Sequence, residues 1–169
     1  MSQPQERFDV VVVGGGQAGL ATGFHLARRN INFVILDSHR RIGEAWRQRW
    51  NSLRLFTPAR MDALPAMPFP ASSNARPTKD EMADYLERYA KLHNLPVRLG
   101  VHVDELSWEK DRYVLAAGDR RLDLGSALLL TTIVGLQGNI LALLILFSSS
   151  ALYSPYAANP FSYQQLPAR

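Results

Sequence analysis

Three glycines, Gly14, Gly16 and Gly19, fit the pattern G-x-G-x-x-G, which is typical of turns that hold the pyrophosphate of a dinucleotide. The pattern allows a tight turn, close approach of the backbone to the phosphates, and close packing of a helix against a strand. Free N–H groups at the start of the next helix bind negative charge without a basic side chain. Asp37 lies about 20 residues further on, where a carboxylate accepts hydrogen bonds from ribose hydroxyls. Together these residues predict a dinucleotide-binding site.

The segments around these residues are the ones that position such a site. Residues 10–13 are a β-branched run, typical of a strand buried on both faces of a parallel sheet. Residues 17–29 are predicted to form a helix that ends at Asn30, and residues 32–36 a second apolar strand closed by Asp37. The alternative is an α/β turn that happens to use glycines, with Asp37 a solvated acid at a strand end.

The rest of the first 132 residues predicts an α/β, Rossmann-like fold. Thr78 and Glu81 form a capping box for a helix over residues 78–94, whose apolar stripe is expected to face the core and whose His93 is expected at the surface or rim. Short strands from residue 96 predict an antiparallel meander, with His102 pointing outward from one of them. Residues 128–132 predict a return to a parallel sheet of about four strands flanked by helices.

Residues 38–77 form a long connection rich in arginine, proline and aromatic residues, and such connections are usually functional or disordered. Trp46, Arg47 and Trp50 lie where planar and cationic groups can cover a flat ring system beyond the glycine turn. Trp46 and Trp50 are also at the i, i+4 spacing of a short core-facing helix. The sequence leaves these two interpretations open.

Composition excludes several classes of protein. The 169 residues contain no cysteine, which rules out disulfide frameworks, thiolate zinc sites and redox-active cysteine pairs, and no other metal site is predicted. The net charge of +4 is scattered rather than clustered, so no nucleic-acid partner is expected. Because no apolar signal-peptide core precedes the first strand, a cytoplasmic location is expected.

Residues 126–169 differ in composition, since Arg169 is their single charged residue. Residues 127–147 are uncharged and long enough for a transmembrane helix, although polar residues and two glycines lie within them and basic flanks are missing. The preferred hypothesis is that residues near 133–160 are an out-of-frame reading. The alternative is a membrane-attaching segment.

Several motifs in order resemble the N-terminal half of flavin-containing monooxygenases, closest to the plant auxin-synthesis branch and its bacterial relatives. They are the glycine turn, GEAWR, SLRLFTP, LPAMPFP and PTKDEMADYLERYA, and they lie within residues 7–132. The resemblance implies FAD as the bound cofactor, NADPH as reductant, and transfer of one oxygen atom to a small molecule. The cofactor-binding residues that it implies are Gly14, Gly16, Gln17, Ala18, Gly19, Asp37, Trp46, Arg47 and Val103.

The chain departs from this family after residue 132. Ile133 stands where the family has a glycine, the family's Phe-x-Gly fingerprint with its histidine is missing, and the sequence has no second G-x-G-x-x-G for NADPH. The expected organisation is therefore an FAD-binding domain over residues 1–132 and a non-native or disordered apolar tail over residues 133–169, without an NADPH domain. Such an incomplete enzyme is expected to bind FAD at best, and no catalytic residue or oligomeric state is predicted.

Two rival functions remain at this point. The first is a non-catalytic nucleotide-binding module attached to a membrane through residues 127–147. The second is an NAD-binding dehydrogenase domain, which the long aromatic connection after Asp37 disfavours.

Overall fold

The computed structural model describes residues 6–109, 112–132 and 142–147. Its helices and strands, in chain order, are β1 (Glu6–Val13), α1 (Gln17–Ala27), β2 (Phe33–Asp37), α2 (Glu44–Arg47), a 3-10 turn (Ala59–Met61), α3 (Lys79–Leu92), β3 (Val97–Leu99), β4 (Glu105–Glu109), β5 (Arg112–Ala117), β6 (Arg120–Thr132) and β7 (Ala142–Phe147).

The described strands form one seven-stranded sheet in the order β3-β2-β1-β6-β5-β4, with β7 paired to β6. The four strands β3, β2, β1 and β6 are parallel, as predicted. Strands β4 and β5 form an antiparallel hairpin that continues into β6. The predicted α/β, Rossmann-like fold with an antiparallel meander is therefore confirmed.

Two details of the strand prediction are wrong. Val97–Leu99 belongs to the parallel sheet beside β2 rather than to the meander. The segments predicted as a meander strand and a later parallel strand form one continuous strand, β6. Its residues 120–124 pair with β5, and its residues 122–130 run beside β1. The register between β1 and β6 shifts between Phe8 and Val10, so the long strand accommodates a bulge there.

Alternate residues of β1 and β2 build a hydrophobic core on each face of the sheet. On one face, Val12 and Ile35 pack with α1, α3 and the segment between α2 and α3. On the other face, Val11 and Val34 pack with apolar residues of β5 and β6. The sheet is thus buried on both sides, as the β-branched run of β1 predicts.

Helix α3 follows its predicted pattern. The Thr78 hydroxyl accepts a hydrogen bond from the Glu81 N–H, and the Glu81 carboxylate accepts one from the Thr78 N–H, which completes the capping box. The buried stripe of α3 lies in the core on the α1 side. His93 follows the helix and packs edge-on against the rings of Phe24 and Tyr89, so it lies at the rim of that core.

In the described part of the chain, no helix is long and apolar enough to cross a membrane. The described portions of segment 127–147 lie in β6 and β7, which pair with each other in antiparallel register. The out-of-frame hypothesis falls mainly on residues outside the described ones, and it stays a prediction, as does the division into residues 1–132 and 133–169.

Candidate functional site

The glycine turn joins the carboxyl end of β1 to α1. Gly14 has a φ of +106°, in the region that favours glycine, and its N–H donates to the Leu36 carbonyl at 2.7 Å. Gly16 is the N-cap of α1 and has no side chain to cap the helix. The first N–H groups of α1, at Gln17, Ala18 and Gly19, therefore have no partner within the helix and can donate to an anion.

Asp37 lies at the carboxyl end of β2, beside this turn. One oxygen of its carboxylate accepts the Gly15 N–H at 2.6 Å, and the other accepts the His39 N–H at 2.8 Å. The His39 Nδ1 lies 2.9 Å from the second oxygen. The side chain is only 13% exposed, so these contacts fix the carboxylate at the wall of the cleft that the turn opens. Each carboxylate oxygen has further acceptor capacity for a ligand hydroxyl.

Two glycines outside the predicted trio lie in close contact with side chains of β2. A Cβ on Gly15 would lie 2.9 Å from the Asp37 Oδ2, and a Cβ on Gly23 would lie 2.7 Å from the Ile35 Cδ1. Gly15 therefore allows the carboxylate to reach the turn, and Gly23 allows α1 to lie close on β2. Gly19 and Gly23 are one helical turn apart on the same face of α1. This spacing is a sequence signal from which the close packing at Gly23 could have been predicted.

Helix α2 also lines the site. Gly43 precedes it with a φ of +78°, and a Cβ there would lie 2.7 Å from the Ala83 carbonyl oxygen, so α2 packs directly on the backbone of α3. Trp46 packs against the core, and its Nε1 donates to the Gln17 Oε1 at 3.3 Å. Trp46 thus links α2 to the start of α1. Trp50 lies beyond the helix and is 47% exposed. Of the two tryptophans that the i, i+4 spacing predicts to face the core, only Trp46 does so.

Arg47 connects α2 to α3. Its guanidinium donates to the Asp84 carboxylate at 2.6 Å, to the Glu87 carboxylate at 3.1 Å and to the Ile42 carbonyl at 2.8 Å. These partners lie on α3 or on the chain before α2. Trp46 lines the cleft, and the place of Arg47 at the flavin stays a prediction.

The turn, Asp37 and α2 enclose one cleft of about 830 Å³ at the carboxyl ends of β1 and β2. Ligands of open α/β sheets bind in this position, and the volume suits a large cofactor. The loop over residues 101–103 also lines the cleft, and the contact of Val103 with the adenine stays a prediction. His102 lies in this loop, and its prediction as a strand residue is wrong.

Two buried tyrosines of α3 hold the far wall of the cleft. The Tyr85 hydroxyl accepts the Leu64 N–H at 2.6 Å and donates to the Met67 carbonyl at 2.7 Å, while the Tyr89 hydroxyl donates to the Pro65 carbonyl at 3.0 Å. Burial, and to a smaller extent the neighbouring Tyr85, raise the pKa of Tyr89 to about 12. Both hydroxyls therefore stay protonated at neutral pH and fix the segment around Leu64.

The chain matches a protein family model described as pyridine nucleotide-disulphide oxidoreductase over residues 11–123. A curated relative, an uncharacterized CzcO-like oxidoreductase from Geobacillus kaustophilus, is 47% identical over 107 residues, which cover 63% of this chain and 31% of the relative. Indole-3-pyruvate monooxygenase YUCCA1 of Oryza sativa subsp. japonica is 33% identical over 129 residues, which cover 76% of this chain and 31% of that protein.

Among solved structures, a flavin-containing monooxygenase from Stenotrophomonas maltophilia superposes with a TM-score of 0.70 and 34% sequence identity. The match covers 79% of this chain and 43% of that protein. The chain therefore spans about a third of the length of the curated relatives it matches, and less than half of this structural relative.

Proposed function

The chain belongs to the pyridine nucleotide-disulphide oxidoreductase family, and we propose on this premise that residues 1–132 are an FAD-binding domain of the flavin monooxygenase type. The resemblance to flavin-containing monooxygenases is confirmed by the rice and Stenotrophomonas proteins. The observation that supports the proposal best is that the glycine turn, Asp37 and Trp46 face one cleft. The 169 residues contain no cysteine, so the proposal assigns no thiol chemistry to them.

The described residues fit the parts of FAD. The uncapped start of α1, with Gly14 and Gly16 before it, offers N–H donors and a positive dipole end to a pyrophosphate. Asp37 offers acceptors to the ribose of the adenosine half. Backbone groups near Val103 lie in the same cleft and are assigned to the adenine, and the planar side chain of Trp46 is assigned to the flavin side.

When bound, FAD supplies the redox chemistry of the proposed reaction, in which NAD(P)H and O₂ are consumed and one oxygen atom reaches a small-molecule substrate. The residues of this chain bind the cofactor, orient it and exclude water from the closed side of the cleft. Because the chain matches less than half of its relatives, we assign FAD binding to it and oxygen transfer to the longer architecture of those proteins.

The proposal is tested by titrating FAD into the full chain and into Gly16→Val while following flavin fluorescence. Gly16 has an extended backbone, with φ −78° and ψ −173°, so the backbone accepts a valine, whose side chain then obstructs the phosphates. We expect saturable binding by the parent and none by the variant, with both chains folded by circular dichroism. A folded parent chain that does not bind FAD would refute the proposal.

A further inference from the structure

Three arginine side chains line the cleft: those of Arg41, Arg49 and Arg54. Two of them already have partners. Arg41 pairs with Glu87 at 2.8 Å, and Arg54 donates to the Arg76 carbonyl at 3.0 Å.

Arg49 differs from these residues, because its side chain has no hydrogen bond or ion pair with any described residue. It is partly buried, in contrast to the exposed Arg40, which lies outside the cleft. Of the acids that line the cleft, Asp37 accepts hydrogen bonds from Gly15 and His39, and one oxygen of Asp62 accepts a hydrogen bond from Thr57. A partly buried guanidinium that forms no ion pair with a described residue is stabilised when an anion binds.

The position of Arg49 indicates which anion it meets. Its N–H donates to the Trp46 carbonyl at 3.0 Å, so it lies directly after α2. The Trp46 indole in turn contacts Gln17, the first residue of α1. The backbone of Arg49 is therefore connected, through Trp46, to the start of α1, which is assigned to the phosphates. Phosphate oxygens are well matched to a guanidinium, which donates two parallel hydrogen bonds to them.

We infer that Arg49 is an affinity-determining residue of this cleft that binds the pyrophosphate of the dinucleotide. This inference rests on the proposed function. It adds a side-chain charge to a phosphate site that the sequence assigned to backbone groups and the helix dipole alone. A carboxylate of a small-molecule substrate has the same chemistry, and the test separates these two sources.

The test compares Arg49→Met with Arg40→Met, which removes the same charge from an exposed arginine outside the cleft. Affinities for FAD and for riboflavin, which has no phosphate, are measured by flavin fluorescence. We expect Arg49→Met to bind FAD about tenfold more weakly than Arg40→Met and riboflavin equally well. The difference should shrink in 1 M salt, where the screening length falls to about 3 Å. Arg49→Lys, which keeps the charge, should recover most of the affinity.

Three results would overturn the inference. Equal FAD affinities for Arg49→Met and Arg40→Met would show that no phosphate meets Arg49. Equal losses for FAD and riboflavin would indicate a packing role. A loss confined to binding of benzoate, used as a carboxylate probe on the FAD-loaded chain, would assign Arg49 to the substrate instead. If the parent chain binds no FAD at all, the proposed function fails first, so the two failures are distinguishable.

Discussion

Replacement of Asp37 by asparagine tests the central contact of the site, because it keeps the size of the side chain and removes its charge. The carboxylate accepts backbone N–H groups from Gly15 and His39 through different oxygens and is 13% exposed. The amide has only one oxygen, so its NH₂ group must face one of these donors. A hydrogen bond to a charged group contributes about 1.5–3 kcal/mol, and we expect a stability loss of that size in the absence of FAD.

The assay has two parts, a urea denaturation without cofactor and an FAD titration under conditions in which the variant is folded. Because the carboxylate is also assigned to the ribose, Asp37→Asn should bind FAD at least about tenfold more weakly, which corresponds to about 1.4 kcal/mol. Glu81→Gln is the matched control, since Glu81 accepts a backbone N–H at 2.7 Å but is exposed and lies outside the cleft. The reasoning is refuted if folded Asp37→Asn binds FAD as tightly as Glu81→Gln does.

Two further predictions concern the frame of the site. Gly43→Ala should lower the free energy of unfolding by about 2–5 kcal/mol, because a left-handed backbone costs about 1–2 kcal/mol and the overlap with Ala83 about 1–3 kcal/mol more. Gly100 is the control, since it has a φ of +69° and an added Cβ would have no atom within 4 Å. Gly100→Ala should therefore show only the backbone cost of about 1–2 kcal/mol. Equal losses in denaturation of the two variants would contradict the close contact between α2 and α3. Hydrogen bonds from the Thr78 N–H, and to a smaller extent from its hydroxyl, lower the pKa of Glu81 from its ordinary value of 4.5. The unfolded chain therefore binds more protons than the folded chain in this pH range. The stability that Glu81 contributes is present above pH 4.5 and is lost as the pH falls through the lower pKa of the folded state. Denaturation from pH 6 downward should therefore show a smaller acid-induced loss for Glu81→Gln than for the parent; parallel curves would refute it.

Features set by local sequence could be predicted. The β-branched run gives β1, the glycine turn begins α1, and Thr78 with Glu81 fixes the start of α3, since each depends on residues within a few positions of one another. The parallel sheet follows from the same patterns. What these patterns do not contain is the pairing between distant segments.

The errors and omissions are therefore non-local. Val97–Leu99 is too short for its own periodicity to assign it to the parallel sheet, and its place is fixed by pairing with β2. The ion pairs of Arg47 with Asp84 and Glu87 could not be predicted, because these acids lie on another helix and no local pattern identifies them. Likewise, Arg49 can be recognised only when the partners of the other cleft cations are known.

The assignment of the cleft to FAD is tested most directly by a calorimetric comparison of FAD and NAD binding to the full chain under identical conditions. The glycine turn and Asp37 suit either dinucleotide, but Trp46 and the large cleft beyond the turn are assigned to a flavin ring. We expect FAD to bind at least about tenfold more tightly than NAD. Tighter binding of NAD, or equal binding of both, would contradict the assignment of this cleft to FAD.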